Sequence, residues 1–276
     1  MSIAYLLMGN IGTGKSILAH KLAMNGAIII SMDQLQSAMH GGYDHYDQSL
    51  KKVYNVIEDT MILESLHKGK DIVIDRTLMT RKTRERFISL MNGHVEKIVC
   101  YNFGKGTEAS LNRRLKNPRG KSAYIWKMVH GRMTKQYEAP QHNEGIHDII
   151  DGPKKYRSHK FDFDGTLVTN NFPKIGELMT EDIAKTHNCH DMIELIHYLW
   201  KDISNIIIIE SNRTGDYECQ MREFLHKHKI PYDFINENPT FDPGSRKVFA
   251  HYVYDDRNRS IYLSPPEDLP WIDYLE

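Results

Sequence analysis

Two short stretches of this sequence carry side chains suited to phosphate chemistry, and they lie far apart. The first is GNIGTGKS, residues 9–16, and the second is DFDGT, residues 162–166. The first fits the spacing G-x-x-x-x-G-K-[ST], in which backbone amides wrap nucleotide phosphates and the lysine neutralises them. The second places two carboxylates two residues apart, before a glycine that permits a sharp turn. The types and spacing of these residues predict one site that transfers a phosphoryl group and another that removes one.

The glycine-rich stretch has the setting that a phosphate-binding loop requires. A strand is predicted over residues 3–8 and a helix from Lys15, so the positive end of the helix faces the phosphates. Ser16 is expected to ligate Mg²⁺. The alternative is a plain glycine-rich turn with a solvent-exposed lysine. The residues predicted to contact the nucleotide within this loop are Gly9, Gly12, Thr13, Gly14, Lys15 and Ser16.

Two carboxylates follow the next two predicted strands. Asp33 comes after the strand 27–31, and Asp75 ends the strand 71–75. In parallel sheets, ligands bind at the carboxyl ends of the strands. Asp33 is therefore expected to be the base that accepts the proton of an attacking hydroxyl, the alternative being a helix N-cap. Asp75 is expected to hold Mg²⁺ directly or through water.

Basic residues follow this part of the chain in two clusters. Arg113 and Arg114 on a predicted helix, and Arg119 on the loop after it, suit a lid over the transferring phosphate. The alternative is a solvated basic face. The other cluster, residues 81–86, either contacts the backbone phosphates of an acceptor or is the exposed side of a helix.

The second site is predicted from four strand ends and helix starts. Asp162 suits attack on phosphorus, and Asp164 suits protonation of the leaving oxygen and later activation of water. Because two close carboxylates repel each other, Mg²⁺ is expected to balance them. Ser211 and Arg213 follow a later strand and suit the binding of phosphoryl oxygens. Arg246 and Lys247 open a helix predicted at 245–251, and one of them, with Lys247 as the candidate, is expected to neutralise the nucleophile and phosphate. Asp255 and Asp256 follow another strand and complete the predicted Mg²⁺ ligands Asp162, Asp164, Asp255 and Asp256.

Short β-branched runs alternate with amphipathic stretches, which predicts an α/β protein with two domains, each a parallel sheet flanked by helices. The predicted domains are residues 1–150 and 159–276, joined by a polar linker at 151–158. Lys and Arg minus Asp and Glu gives 21 − 14 = +7 over residues 1–150 and 15 − 22 = −7 over residues 151–276. The basic half suits a polyanion such as nucleic acid, although the opposite charges can equally serve to dock the halves.

Composition bounds the class of protein. The chain has 276 residues, 40% of them hydrophobic and 26% charged, which is ordinary for a globular protein. It shows no apolar run of about 20 residues and no signal pattern, which predicts no membrane association. The three cysteines are scattered, and this argues against a disulfide framework and for a cytoplasmic protein.

The motifs resemble known families. Residues 9–16 with Asp33 and Asp75 resemble the P-loop kinases, and the order Asp162, Ser211, Lys247, Asp255 resembles the haloacid dehalogenase-like phosphatases. Joined in this order, they resemble the phage-type polynucleotide kinase 3′-phosphatases. The resemblance implies ATP as phosphoryl donor, Mg²⁺, and a bifunctional enzyme that phosphorylates 5′-hydroxyl ends of DNA or RNA and removes 3′-phosphates, with 2′,3′-cyclic phosphates as a further substrate.

The resemblance assigns roles to residues of this chain. It implies that Asp33 is the kinase base, that Arg113 and Arg119 bind ATP phosphates, and that Asp162 forms an aspartyl-phosphate intermediate. It also suggests a functional link to a ligase, a homo-oligomer, and a location in the cytoplasm, that of the host if a phage encodes the protein.

Two positions depart from the family pattern. Gln36 stands where the family typically has an arginine that binds the acceptor phosphate. The family's phosphatases also have an arginine soon after the second motif, whereas the first cation here is Lys174. A kinase–phosphatase for a small nucleoside, sugar or cofactor therefore stays an alternative. A second alternative is a nucleic-acid-binding or toxin-regulating module whose nucleotide site is only a switch, which would not need Asp162. The short spacing between Asp162 and Ser211 leaves little room for a large cap, which favours an open site that admits a polymer end.

Overall fold

The computed structural model describes residues 2–42, 47–153, 156–168, 187–238, 248 and 250–255, with the backbone alone for 187–189. The chain divides into two compact units, one spanning Met1–Lys154 and the other Lys155–Ile272. Each unit holds a parallel sheet flanked by helices. None of the helices in the described part of the chain is long and apolar enough to cross a membrane.

The first unit holds a five-stranded sheet in the order β2-β3-β1-β4-β5, with every pairing parallel. The central strand is apolar along most of its length because helices cover both faces of a parallel sheet. The strands are β1 (Ile3–Met8), β2 (Ile28–Ile30), β3 (Ile72–Asp75), β4 (Lys97–Asn102) and β5 (Asp148–Asp151). The helices are α1 (Lys15–Met24), α2 (Met32–His40), α3 (Lys51–His67), α4 (Arg81–Met91), α5 (Glu108–Lys116) and α6 (Ala123–Lys135).

Threonines fix where two of these helices begin. Thr80 precedes α4 and Thr107 precedes α5, and each side chain accepts a hydrogen bond from the backbone amide three residues later. In each case the residue at that third position returns the bond, which forms a capping box. The Thr107 cap fixes the residue at which α5 begins, and α5 carries Arg113 and Arg114.

The second unit holds a four-stranded parallel sheet in the order β8-β7-β6-β9. The run of buried isoleucines in β7 explains its central place, since both of its faces are covered. The strands are β6 (Arg157–Asp162), β7 (Asn205–Glu210), β8 (Phe234–Ile235) and β9 (Tyr252–Tyr254), with helices α7 (His187–Trp200) and α8 (Asp216–Lys227). Phe161, Ile207 and Phe224 are among the fully buried side chains of its core.

Several predicted elements differ from the structure. The amphipathic pattern of the sequence predicts a helix around residues 46–68. The structure has α3 there, which begins only at Lys51, after a 3₁₀ turn at Gln48–Leu50. Strand β6 begins at Arg157, inside the stretch predicted as linker, and β5 and α6 had no counterpart in the prediction. The predicted helix at 245–251 falls mostly outside the described residues.

Candidate functional site

The glycine-rich loop links β1 to α1, as the sequence predicts. Gly12 and Gly14 have positive φ angles of 68° and 96°, which side chains with a Cβ rarely adopt. A Cβ on Gly12 would also lie 2.1 Å from the carbonyl oxygen of Ser110 in α5. The loop therefore needs glycine here both for its own path and for the close approach of α5.

Lys15 is the charged residue of this loop, and its side chain is buried. It is 8% exposed, and its Nζ donates a hydrogen bond to the carbonyl oxygen of Asn10 at 2.6 Å. Burial lowers the pKa of Lys15 to about 8, against the attraction of the Asp75 and Asp33 carboxylates, which raises it. Arg114 and Arg119 lower this pKa further. Four of the predicted site residues of the first unit thus lie close enough to Lys15 to affect its pKa.

Ser16 and Asp75, the two predicted metal ligands of the first unit, are in direct contact. The Ser16 hydroxyl donates a hydrogen bond to Oδ2 of Asp75 at 2.8 Å. Both supply the hard oxygen atoms that Mg²⁺ prefers, and Mg²⁺ on a nucleotide commonly takes one or two protein ligands besides phosphate oxygens and water. The pair therefore fits the predicted ion.

Asp33 lies in the first turn of α2, after Ser31 at the N-cap position, so its alternative role as the N-cap is wrong. Its carboxylate, about half exposed, accepts a hydrogen bond from Arg119 Nη1 at 3.3 Å. This ion pair brings the loop between α5 and α6 to the carboxyl edge of β2. Asp33 is thus partly exposed and lies beside Arg119, one of the arginines predicted to form a lid.

The lid arginines have three different settings. Arg113 Nε donates to the carbonyl oxygen of Gly12 at 2.7 Å, which ties α5 to the phosphate loop. The guanidinium of Arg114 lies 4.8 Å from the centre of the Trp126 ring, a cation–π contact between α5 and α6. Arg119 reaches Asp33. All three lie close to the loop that is predicted to bind the nucleotide.

Sequence reasoning missed Asn10, which joins the phosphate loop to α6. Its Nδ2 donates to the carbonyl oxygens of Lys105 and His130 and to the Thr134 hydroxyl, at 2.8, 3.1 and 3.0 Å. The motif treats this position as variable, so only its contacts reveal the role. Asn10 fastens α6 to the phosphate loop.

The basic cluster 81–86 is only in part the exposed helix side that one of the two interpretations expected. Arg84 is fully buried, and its guanidinium forms two hydrogen bonds with the buried Glu144 at 2.7 and 2.8 Å. Arg86 pairs with the buried Glu58 at 3.0 Å. Neither the phosphate-contact nor the exposed-face interpretation describes Arg84, because its charge is matched inside the core.

In the second unit, three neighbouring strands bring predicted residues to one edge of the sheet. Asp162 ends β6 and pairs in register with Glu210, the last residue of β7, so Ser211 follows directly. On the other side Phe161 pairs with Tyr254, so Asp255 comes next beside Asp162. Parallel register thus brings Asp162, Ser211 and Asp255 to the same carboxyl edge.

Asp164 is gripped by the two residues predicted to hold phosphate. Arg213 Nε donates to Oδ1 and Oδ2 of Asp164 at 3.0 and 3.1 Å, and the Ser211 hydroxyl donates to Oδ2 at 3.1 Å. Gly165, at a φ of 90°, makes the turn after Asp164, and its amide donates to the Val168 carbonyl at 2.7 Å. The hydroxyl, the guanidinium and the carboxylate therefore form one polar group.

Asn236 orients Ser211, a contact that sequence reasoning did not find. Its Oδ1 accepts a hydrogen bond from the Ser211 amide at 2.8 Å, and its own φ is 56°. Asparagine tolerates this left-handed conformation better than most residues. An asparagine just after a short strand is the only sequence signal, and it does not indicate a function by itself.

The metal ligands of the second unit stay a prediction. Over the described ranges, which stop at residue 255, no three His, Cys, Asp or Glu side chains are arranged to hold a metal ion. The predicted ligand Asp256 and the predicted cation Lys247 both lie outside the described residues. Asp162, Asp164 and Asp255 supply the carboxylate oxygens that Mg²⁺ prefers, so the donor chemistry fits.

Comparison with known proteins agrees with the loop and fold of the first unit. Residues 5–140 match the family model described as an AAA domain. The match covers just under half of the chain and contains the phosphate loop, Asp33, Asp75 and the three lid arginines. Within this match the phosphate loop joins β1 to α1 beside a parallel sheet, an arrangement that is consistent with a P-loop kinase fold. No curated protein matches the sequence.

Solved structures give distant similarities only. A chain of a Pnkp1/Rnl/Hen1 RNA repair complex is 17% identical, with a TM-score of 0.45 over 93% of this chain and 90% of that one. A putative kinase from Chloroflexus aurantiacus is 14% identical, with a TM-score of 0.42 over 55% of this chain and 84% of that one. A fungal RNA kinase is 10% identical, with a TM-score of 0.40 over 73% and 44%. Similarity at this level does not identify a substrate.

Proposed function

We propose that the first unit is a cytoplasmic kinase that transfers the terminal phosphoryl group of ATP to the 5′-hydroxyl of a DNA or RNA end. The observation that carries the proposal is the set of contacts beside the buried Lys15: the Ser16 hydroxyl donates to Asp75 at 2.8 Å, and Arg119 pairs with Asp33 at 3.3 Å. A nucleotide phosphate chain on the loop would place its outer phosphate among these groups. An acceptor hydroxyl then enters beside Asp33.

Each residue has a definite part in this reaction. The backbone amides of residues 9–16 and Lys15 bind the phosphates, and Ser16 with Asp75 would hold Mg²⁺, which supplies neutralisation of their charge. Asp33 takes the proton of the attacking hydroxyl as its oxygen bonds to phosphorus and the bond to ADP breaks. Arg113 and Arg119 stabilise the charge that spreads over the transferred group.

The second unit is proposed to be a phosphatase for 3′-phosphate ends. Asp162 attacks phosphorus while Asp164 gives a proton to the leaving 3′-oxygen, and water activated by Asp164 then cleaves the aspartyl phosphate. Ser211 and Arg213 would hold phosphoryl oxygens, and their joint contact with Asp164 supports this role. Carboxylates at Asp162, Asp164, Asp255 and Asp256 would hold Mg²⁺, with Lys247 as the cation beside them.

Together the two activities convert a break with 5′-hydroxyl and 3′-phosphate ends into ends that a ligase can join. A direct ligase contact and a homo-oligomer remain part of the proposal. The test supplies labelled ATP and Mg²⁺ with matched DNA and RNA strands that carry a 5′-hydroxyl, and separately strands that carry a 3′-phosphate. Label on the strand and release of inorganic phosphate support the proposal. Transfer to nucleosides or sugars but to neither strand would instead establish a small-molecule enzyme.

A further inference from the structure

Helix α6 presents two unlike faces to its surroundings. Its inner face holds the buried Trp126, and one and two turns further on His130 and Thr134 meet the Asn10 side chain at 3.1 and 3.0 Å. The Trp126 indole Nε1 also donates to the carbonyl oxygen of Pro118 at 2.6 Å. This side of the helix is therefore fixed to the phosphate loop and to the lid loop.

The exposed side, called the α6 outer face below, consists of Tyr124, Met128, Arg132 and Lys135, with Lys127 at its edge. All five are exposed, and Tyr124 and Met128 are 71% and 58% exposed although they are large and apolar in part. Their spacing of three and four residues places them along one side of a helix. Over the residues that the structure describes, none of the three cations of this face forms a salt bridge.

The charge of the whole helical pair favours a polyanion. Between residues 108 and 135 the sequence has eight Lys and Arg residues and one acidic residue, Glu108. A solvated basic helix usually interleaves acids with its cations, and this one does not. Exposed aromatic and apolar side chains among cations match single-stranded nucleic acid, whose bases stack while its phosphates pair with the cations.

The position of the α6 outer face indicates which part of a nucleic acid would bind to it. The helix begins at Ala123, just after the loop in which Arg119 contacts Asp33. From there its 13 residues extend about 20 Å at the rise of an α-helix. We propose that the α6 outer face binds the single-stranded part of the nucleic acid acceptor that follows the 5′ end held beside Asp33. This inference rests on the proposed kinase function and names its substrate as a polymer.

The experiment uses the full chain and measures binding and catalysis separately. A fluorescently labelled 12-nucleotide 5′-hydroxyl strand reports binding by anisotropy over a range of salt concentrations, and ATP-dependent labelling reports KM for the same strand and for a nucleoside 3′-monophosphate. The test variant is Lys127→Gln/Arg132→Gln/Lys135→Gln. The matched control is Lys51→Gln/Lys52→Gln/Lys82→Gln, which removes three exposed charges from α3 and α4. Tyr124→Ala and Tyr124→Phe separate stacking from charge.

The test variant should weaken strand binding and lower the slope of log affinity against log salt by about 0.7 for each lost phosphate contact. Its kcat, and its KM for the mononucleotide, should match those of the wild type and the control. Tyr124→Ala should weaken strand binding on the order of tenfold, whereas Tyr124→Phe should keep it. Equal salt slopes for the wild type and the test variant would overturn the proposal.

Other outcomes are equally decisive. Polyglutamate that displaces the strand at equal charge, with Tyr124→Ala unchanged, would make the face a general polyanion surface and overturn the proposal. Strand binding that depends on the α6 outer face without any phosphoryl transfer would reject the kinase function and, with it, the assignment of the bound strand as an acceptor. Transfer to the strand with no loss in either variant would keep the kinase and reject the surface.

Discussion

The two candidate sites are built in different ways. In the first unit one loop of eight residues is predicted to bind the phosphates, and α5 and α6 are tied onto it through Gly12 and Asn10. In the second unit the residues come from the ends of separate strands, and only the parallel register brings Asp162, Ser211 and Asp255 to one edge. A site built from one loop depends on local geometry, whereas a site built from strand ends depends on the whole sheet.

The two sites are therefore sensitive to different changes. The first holds a buried ammonium group whose pKa is lowered to about 8, so its charge state responds to the ligand and to pH. The second holds Asp164, the proposed acid/base residue, through the Arg213 guanidinium, which contacts both carboxylate oxygens. The predictions below test whether the two sites act separately and whether these contacts have the roles proposed here.

The largest effect should come from the catalytic aspartates. Asp33→Asn should lower phosphoryl transfer from ATP by about 10²–10⁴, since a general base is lost, and should leave 3′-phosphate removal intact. Asp162→Asn should do the reverse because it removes the nucleophile. Initial rates of both reactions, measured on each folded variant, check the separation. Loss of both activities in either folded variant would contradict two independent sites.

The next largest effect concerns the stability of the first unit. Arg84→Met leaves the buried Glu144 carboxylate without its partner and should destabilise this unit by about 3–5 kcal/mol. Arg81→Met on the same helix is the matched control, because its pair with Glu85 is exposed and should contribute less than about 1 kcal/mol. Hydrogen exchange resolved by segment should show faster exchange in residues 2–153 of the first variant and unchanged exchange in 187–238. Equal effects of the two substitutions would reject a structural role for the buried pair.

A conservative change at Arg213 tests the second site. Arg213→Lys loses the forked contact with Asp164 and should slow phosphate release on the order of 10²-fold, as does loss of a donor to a developing charge. Arg222→Lys is the control, since Arg222 pairs with Glu218 on the surface of α8. Release of phosphate from a 3′-phosphate strand gives the rate. A loss below about twofold would show that Arg213 does not act on the phosphoryl group.

The smallest effect is the pH dependence of ATP binding. Free Lys15 has a pKa of about 8, and a bound triphosphate raises that pKa because it favours the charged ammonium. Below pH 8 the lysine is already charged and affinity should be flat, whereas above pH 8 binding must take up a proton and Kd should rise by about tenfold per pH unit. Calorimetry in two buffers with different ionisation heats measures the proton uptake.

The comparison for this last prediction is Lys15→Arg, which stays charged throughout this range. Its ATP affinity should not change between pH 7 and 9.5. A flat profile for the wild type would mean that the free lysine is already charged at high pH.

Much of the first site could be predicted from the sequence because its signals are local. A glycine-rich loop, the strand before it and the helix after it are adjacent in the chain, so their spacing alone indicated the loop and Lys15. The Asn10 contacts could not be predicted, since they join residues more than 90 positions apart. The fate of Arg84 was equally hidden, because a basic run has the same pattern whether its members are exposed or paired in the core.

The sequence by itself determined that two parallel α/β units are present and which side chains stand at their strand ends, because hydrophobic periodicity and turn residues are local properties. Only the tertiary structure decided which of these ends meet. The order of strands in each sheet, the register of Phe161 with Tyr254 and the pairing of Arg119 with Asp33 depend on contacts between distant segments. Such contacts arise from packing of the whole core, and no short stretch of sequence encodes them.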